Sequence, residues 1–289
     1  MCEIVKYNNY LNSLHLKNFT SVDLNFFTTI CARVKEQKFK EVKISFKELK
    51  QFSNYKAATK SQFVDDIIRM NNKLISSIVM NVQLPSGTIA TFPLFSYFLT
   101  DVKKEEVRVK VNSDWYFIFN ELTSNFTQFE LVEFVALKNK YSKILFKLFK
   151  QYKTTGLFIC DIDTFRKIVD VPSTYTNKYI MDKIIKPSLI DLKPYFKNLK
   201  VTPLYKQERG KPLQGFKFTF KKENVLKDDT DKKVGLKVNV TTNKKNKFNN
   251  FQQSNYSQRF YDLIEIRMGR GLTKEEEKEY LEELSKGRR

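Results

Sequence analysis

Along residues 141–153 apolar side chains recur at Tyr141, Ile144 or Leu145, Leu148 and Tyr152. That i, i+3/4, i+7 spacing turns one face of a helix toward a core. Gly156 stops the helix, and a short apolar run at 157–160 follows. Residues 163–170 predict a second, short helix with Asp163 as its cap and Phe165, Ile168 and Val169 inward. Residues 171–174 supply a turn and the next N-cap. From Ser173 a third helix runs over 175–186, with Ile180 and Ile184 inward and Asn177, Lys178 and Lys186 outward. Alternation in 199–205 and 215–221 predicts a hairpin whose tip, 207–214, carries Arg209 and Lys211.

The N-terminal half follows the same order. Residues 23–35 place Leu24, Phe27, Ile30, Cys31 and Val34 on one helical face, and an apolar run covers 42–44. Ser45 with Glu48 three positions later is a capping box opening a helix over 45–52. A third helix, 56–74, turns Phe63, Ile67, Met70 and Leu74 inward and leaves Lys56, Thr59, Lys60 and Gln62 near its exposed start. Residues 76–83 and 88–95 flank a turn at 84–87 and predict a hairpin. Residues 106–112, 115–119 and 126–134 extend this unit as strands, with Trp115 in its core. Helix, short helix, basic helix and hairpin, twice over, predict an α+β chain of two tandem winged-helix units.

Beyond residue 221 the pattern changes. Residues 222–256 are polar and aperiodic, as in a disordered tether. Helical spacing returns at 257–268 and 273–284, split by Gly269 and Gly271, with Phe260, Leu263, Ile264, Tyr280, Leu281 and Leu284 as apolar patches. This helical tail is either a solvated helix or a docking segment for another protein. The expected organisation is therefore 1–137 and 138–221 as winged-helix units, 222–256 as linker and 257–289 as tail.

Charge sharpens the reading. Fifty-two Lys and Arg against 32 Asp and Glu give a net charge of +20, and a pI near 9.6. A chain so basic is expected to meet an anionic partner, phosphate foremost. No apolar run approaches the length of a membrane span, and the N-terminus lacks a signal-peptide layout, so a cytoplasmic protein without membrane contact is expected. Cys2, Cys31 and Cys160 are too few and too scattered for a disulfide framework or zinc cluster.

Four runs, YSKILFKLFKQY at 141–152, FRKIVDVPSTY at 165–175, IIKP at 184–187 and GFKF at 215–218, resemble the theta-type plasmid replication initiators that bind iterons. They look like that family's helix, its short helix and turn, the end of its recognition helix and the strand closing its wing. The resemblance extends more weakly over 8–137 and covers about three quarters of the chain. It implies binding to tandem repeats in double-stranded origin DNA and recruitment of host replication proteins such as an initiator or helicase. It further implies an autorepressing dimer, an initiating monomer, and a first unit that dimerises and touches DNA backbone. Residues 85–87, the expected first wing tip, carry no basic side chain, which departs from a DNA role for that wing.

Enzyme chemistry finds no inventory. A nicking initiator needs several histidines around a metal, whereas this chain has His15 alone. Residues 210–215 approach a phosphate loop but continue with Phe216 and Lys217 where Lys and Ser or Thr are required. Asp161 and Asp163 are expected to cap a helix rather than hold a metal. No enzyme activity, cofactor or metal is expected. In the DNA reading, Tyr175, Thr176, Asn177 and Lys178 lie nearest the base edges, with Asn177 pairing adenine. Lys183, Lys186, Arg209 and Lys211 anchor phosphates. Lys56, Thr59, Lys60 and Gln62 are the equivalent set of the first unit. A tandem winged-helix repressor without a replication role fits the same residues. A single-strand or RNA binder would display aromatics on an open sheet, whereas most aromatics here face inward.

Overall fold

Two three-stranded sheets, each packed against helices, organise the chain in the computed structural model, which describes residues 3–56, 59–83, 87–120, 122–223 and 257–286. The first unit opens with β1 (Ile4–Asn8) and the short α1 (Tyr10–Ser13). Then come α2 (Ser21–Val34), β2 (Val42–Ser45), α3 (Phe46–Phe52) and α4 (Lys60–Ser77). Thr20 and Asp23 cap α2 reciprocally, and the buried Asp23 carboxylate meets Lys73 of α4 at 2.6 Å. The expected Ser45 and Glu48 capping box is present on α3. There the Ser45 backbone amide is the main cause holding the Glu48 carboxyl below its usual range. Helix α4 inserts Phe63, Ile67, Met70 and Leu74, the four positions its period predicts.

Four strands follow: β3 (Val79–Gln83), β4 (Ile89–Pro93), β5 (Phe95–Asp101) and β6 (Glu106–Val111). Strands β3 and β4 form an isolated hairpin, while β2, β6 and β5 pair in that order. The wing of the first unit is therefore β5 and β6, and the hairpin expected to be the wing is an insertion before it. Residues 84–86 of that hairpin's tip lie outside the described residues. A three-residue 3₁₀ turn, Ser113–Trp115, then leads into α5 (Tyr116–Phe119), where a strand was expected. Asn112 redirects the chain by accepting from the Asp114 amide at 3.2 Å, and a continuous apolar run has no period to betray its state. The strand expected over 126–134 ends early as β7 (Phe126–Glu130), paired with β1, and gives way to α6 (Leu131–Ala136).

The second unit comprises α7 (Lys140–Gln151), β8 (Leu157–Asp161), α8 (Ile162–Val169), a helix over 177–192, β9 (Lys200–Tyr205) and β10 (Leu213–Thr219). Its sheet order is β8, β10, β9. Gly215 on β10 crosses β8 so closely that a Cβ would lie 2.1 Å from the Cys160 carbonyl oxygen. Asp161, not Asp163, caps α8 by accepting from the Thr164 amide at 2.7 Å. The long helix begins later than expected, with Thr176 rather than Ser173 or Thr174 as N-cap. It comprises α9 (Asn177–Ile180), a π-helical turn (Met181–Ile185) and α10 (Lys186–Leu192), and so passes through Pro187, where it was expected to end. Pro187 has no N–H, and its ring would clash with the carbonyl four residues back in an α-helix. The wider π turn, closed by Lys186 N–H donating to the Met181 carbonyl, relieves both problems.

Helix α7 sits between the units. Its Lys143 donates to the Phe134 carbonyl at 2.7 Å, and burial lowers that ammonium to about 7. Burial also lowers Lys147, to about 8. Asn12 bridges to Thr127 at 2.8 Å and to Gln151 at 3.0 Å. At the end of α8, Asp170 adopts a left-handed conformation (φ 55°) and takes contacts from His15 and Lys140, each at 3.2 Å, and from the Asn18 amide at 3.0 Å. Burial works against the Asp170 carboxylate, but the Asn18 and Lys140 donors outweigh it and keep its pKa low. His15 thus fastens the first unit to the second.

The tail, α11 (Gln258–Gly269) and α12 (Lys274–Lys286), folds as a helical pair against the first unit. Phe260, Leu263, Ile264 and Tyr280 are buried, with the Phe260 and Tyr280 rings stacked at 5.4 Å. Asp114 accepts from Tyr280 Oη at 2.8 Å and pairs with Arg267. One face of the described tail docks on its own chain, and the other, with Lys274, Glu275, Glu277 and Lys278, is solvated. The linker expected at 222–256 lies outside the described residues beyond position 223.

Candidate nucleic-acid interface

The second unit's exposed helix is presented by the sheet and α7 beneath it: Ile180, Ile184, Ile185 and Leu192 are buried and fix its inner face. Its outer face carries Asn177, Lys178, Lys183 and Lys186, all exposed. Asn177 is the first helical residue, so its side chain projects from the leading turn. Thr176 is exposed and its Oγ1 accepts from the Tyr179 amide at 3.2 Å, which caps the helix and leaves the hydroxyl's own donor and its methyl outward. Tyr175 precedes the cap and is half-buried, its ring 4.5 Å from Tyr179. Lys183 lies over the Tyr179 ring at 5.9 Å. Lys186 bonds Asp182 at 2.7 Å, and that bond is the chief cause of the lowered Asp182 pKa. Arg209 and Lys211 are exposed at the wing tip, where Gly210 (φ 82°) and Lys211 (φ 41°) make the turn.

In the first unit α4 begins at Lys60 and not at 56 as expected: Thr59, Lys60 and Gln62 are exposed at its start, Thr59 caps it by accepting from the Gln62 amide, and Lys56 is exposed ahead of the helix. Lys60 reaches Glu105 on the β5–β6 turn at 2.6 Å, which joins helix start to wing tip. Lys103 and Lys104 occupy that turn, exposed, with their backbone amides donating to Asp101 at 3.1 and 3.0 Å. Sequence reasoning missed both lysines because it placed the wing one hairpin too early. The signal was the capable β-strand at 106–111, which needed a partner. Further along the same outer face of α4, Ile68 and Ile75 are 46 % and 59 % exposed.

Arg166 was also missed. From α8 its Nη2 donates to the Tyr175 carbonyl at 2.7 Å and to Asn177 Oδ1 at 3.0 Å, so it braces the leading turn of the exposed helix. Among the described residues no group of three or more His, Cys, Asp and Glu could hold a metal ion. Nor is any helix there long and apolar enough to cross a membrane.

Two helix-and-wing units, each presenting a capped helix beside a basic turn, define a tandem winged-helix protein. The chain matches the family described as Initiator Replication protein, WH1, over residues 4–150, and as Initiator Rep protein, WH2, over residues 161–220. It belongs to that family of replication initiators. It is 35% identical over 224 residues to the probable replication protein rep of Bifidobacterium longum (strain NCC 2705), covering 76% of this chain and 73% of that one. The crystal structure of Pi initiator protein in complex with iteron DNA shares the fold, with a TM-score of 0.57 and 14% identity over 75% of this chain and 96% of that one.

Proposed function

We propose that this chain starts replication of a plasmid by binding tandem repeats in double-stranded origin DNA, without enzymatic activity of its own. The observation that carries the reading is the second unit's leading turn, where Asn177 and Lys178 are exposed on a capped helix whose inner face is buried, flanked by a wing bearing Arg209 and Lys211. Asn177 and Lys178 face base edges, with Tyr175 and Thr176 beside them shaping the turn. Lys183, Lys186, Arg209 and Lys211 neutralise phosphates. The family membership and the net charge of +20 support the same partner. Its place of action is the cytoplasm, where a plasmid is copied.

The first unit's Lys56, Lys60, Lys103 and Lys104 add backbone contacts, with Thr59 and Gln62 at the same helix start. Its exposed Ile68 and Ile75 offer an apolar stripe for self-association, the dimer that would repress its own promoter. Units 1–137 and 138–221 act as two readers, with α7 of the second packed against the first. The test is a mobility-shift titration of the full chain on duplexes taken from beside its own gene, paired with plasmid establishment in the natural host. Binding to direct repeats together with loss of establishment by Lys178→Glu supports the reading. Binding only to an inverted repeat, with establishment unaffected, replaces it with a repressor.

A further inference from the structure

Asn177 was expected to read adenine, a contact that needs the amide to donate to N7 and accept from N6 at once. The structure puts a third party at that amide. Arg166 Nη2 lies 3.0 Å from Asn177 Oδ1 and 2.7 Å from the Tyr175 carbonyl oxygen. A guanidinium carries donors only, so it can face the amide oxygen but not the amide nitrogen. The orientation of the Asn177 amide is thereby decided by chemistry. Its Nδ2 has no hydrogen-bond partner among the described residues, and the side chain is exposed.

Arg166 is itself held. It issues from α8, whose Phe165, Ile168 and Val169 are buried, and its second bond ends on backbone just ahead of the Thr176 cap. One lone pair remains on Asn177 Oδ1, yet the cation beside it disfavours a second donor there. The same cation favours a base edge rich in acceptors. Among the four bases guanine presents two acceptors in the major groove, N7 and O6, whereas adenine offers one acceptor and one donor.

We infer that Arg166 is a positioning residue that fixes the Asn177 amide with its N–H donors outward, so that Asn177 selects guanine over adenine. The inference rests on the proposed reading of Asn177 as a base-contacting residue. It assigns a residue outside the exposed helix to sequence choice.

The test uses the full chain and a randomised duplex library, followed by titration of all four base pairs at each position of the selected duplex. Asn177→Ala identifies the position that Asn177 reads, as the one whose preference flattens. At that position the native protein is expected to favour guanine over adenine by about tenfold, the scale of one base-edge contact. Arg166→Met frees the oxygen and should shift the preference toward adenine. Asn177→Asp keeps the brace, turns a second oxygen outward and should shift it toward cytosine, whose N4 donates. This variant guards against the case in which Arg166→Met disturbs the turn. If Asn177→Ala flattens no position, both the proposed role of Asn177 and the inference fall. If a position responds but the native choice is adenine and Arg166→Met leaves it unchanged, the inference alone is overturned. Failure of Asn177→Asp to favour cytosine overturns it likewise.

Discussion

The two winged-helix units share an element order and differ in what they show to solvent. In the second, the exposed helix carries Asn177, Lys178 and Lys183 on its outer face, and Lys186 is drawn into an intrahelical ion pair with Asp182. In the first, Lys60 is spent on Glu105, and the face beyond it alternates Asp65, Arg69 and the exposed Ile68 and Ile75. Buried positions impose the fold on both units. The outer face is free to diverge, and it has diverged toward phosphate and bases in one unit and toward mixed apolar chemistry in the other.

Charge reversal breaks the comparison most forcefully. Lys178→Glu with Lys183→Glu should reduce affinity for a specific duplex by about a hundredfold or more at moderate salt, since two phosphate or base-edge cations become repulsive. Lys103→Glu with Lys104→Glu in the first wing should cost less and cost the same on any sequence. Equal losses from the two pairs, measured by fluorescence anisotropy, would erase the distinction between the units.

Next in size is the tail. Asp114 is 1% exposed, and its partners are Arg267 and Tyr280 from the tail. Arg267→Ala should destabilise the first unit by about 3 kcal/mol, because it leaves a buried carboxylate without its cation and, among the described residues, with only the Tyr280 hydroxyl as side-chain donor. The single tryptophan, Trp115, adjoins Asp114 and is fully buried, so its emission should red-shift as the tail loosens. Duplex binding by the second unit should be unchanged in conditions where the protein stays folded. Unaltered emission and stability would show that the tail's seat is not held by this pair.

Between the units, Lys147 gives a pH signature. Its folded value is about 8 against an ordinary 10.5. Below pH 8 both folded and unfolded chains hold the proton, and the burial cost is fully present. Between about 8 and 10.5 the unfolded chain holds a proton that the folded one has released, so stability rises with pH. Lys143, held at about 7, adds to the same rise, so Lys147→Met should make it shallower and stabilise the protein at pH 7 by on the order of 2 kcal/mol. Denaturant melts at several pH values check it, and a native protein with a falling profile in that window would contradict the buried ammonium.

The smallest effects separate reading from anchoring within the second unit. Asn177→Ala should lose about 1–3 kcal/mol on the preferred duplex and almost nothing on an unrelated one. Lys211→Ala should weaken both and make the log–log salt slope, expected near −5 to −9 for about 6–10 phosphates, shallower by about one. Identical behaviour of the two variants would dissolve the assignment.

Elements with a clean helical period and a local cap were legible before any coordinates. Helix α7 and the Ser45 capping box are examples, since both signals lie within a few residues of chain. Three features were not. The run at 115–119 is apolar throughout, with Trp115, Phe117, Ile118 and Phe119 all buried, and so carries no period. The first wing was misplaced because strand partnership is non-local: β2 pairs β6 across more than fifty residues, and nothing in the 84–87 turn reveals it. Tail docking depends on Asp114, Arg267 and Tyr280 meeting, and a charged helix with few apolar positions suits many neighbours. Within the candidate interface the exposed lysines were legible, but the Arg166 brace needs Tyr175 and Asn177 to come within reach of α8.

The π turn at Met181–Ile185 holds one residue more than a regular helix would use. Each residue of an α-helix advances the side chain by about 100°, so α9 and α10 are offset by that much around their common axis. A gene one codon shorter within 181–185 would return Pro187 to a regular helix, with its ring against the carbonyl four residues back, and would encode a worse protein. Asn177 could keep its outward position only if Leu192 left the core, or Leu192 could stay only if Asn177 turned away. The length of this helix, counted in residues, thus matters to the fold as much as any side chain on it.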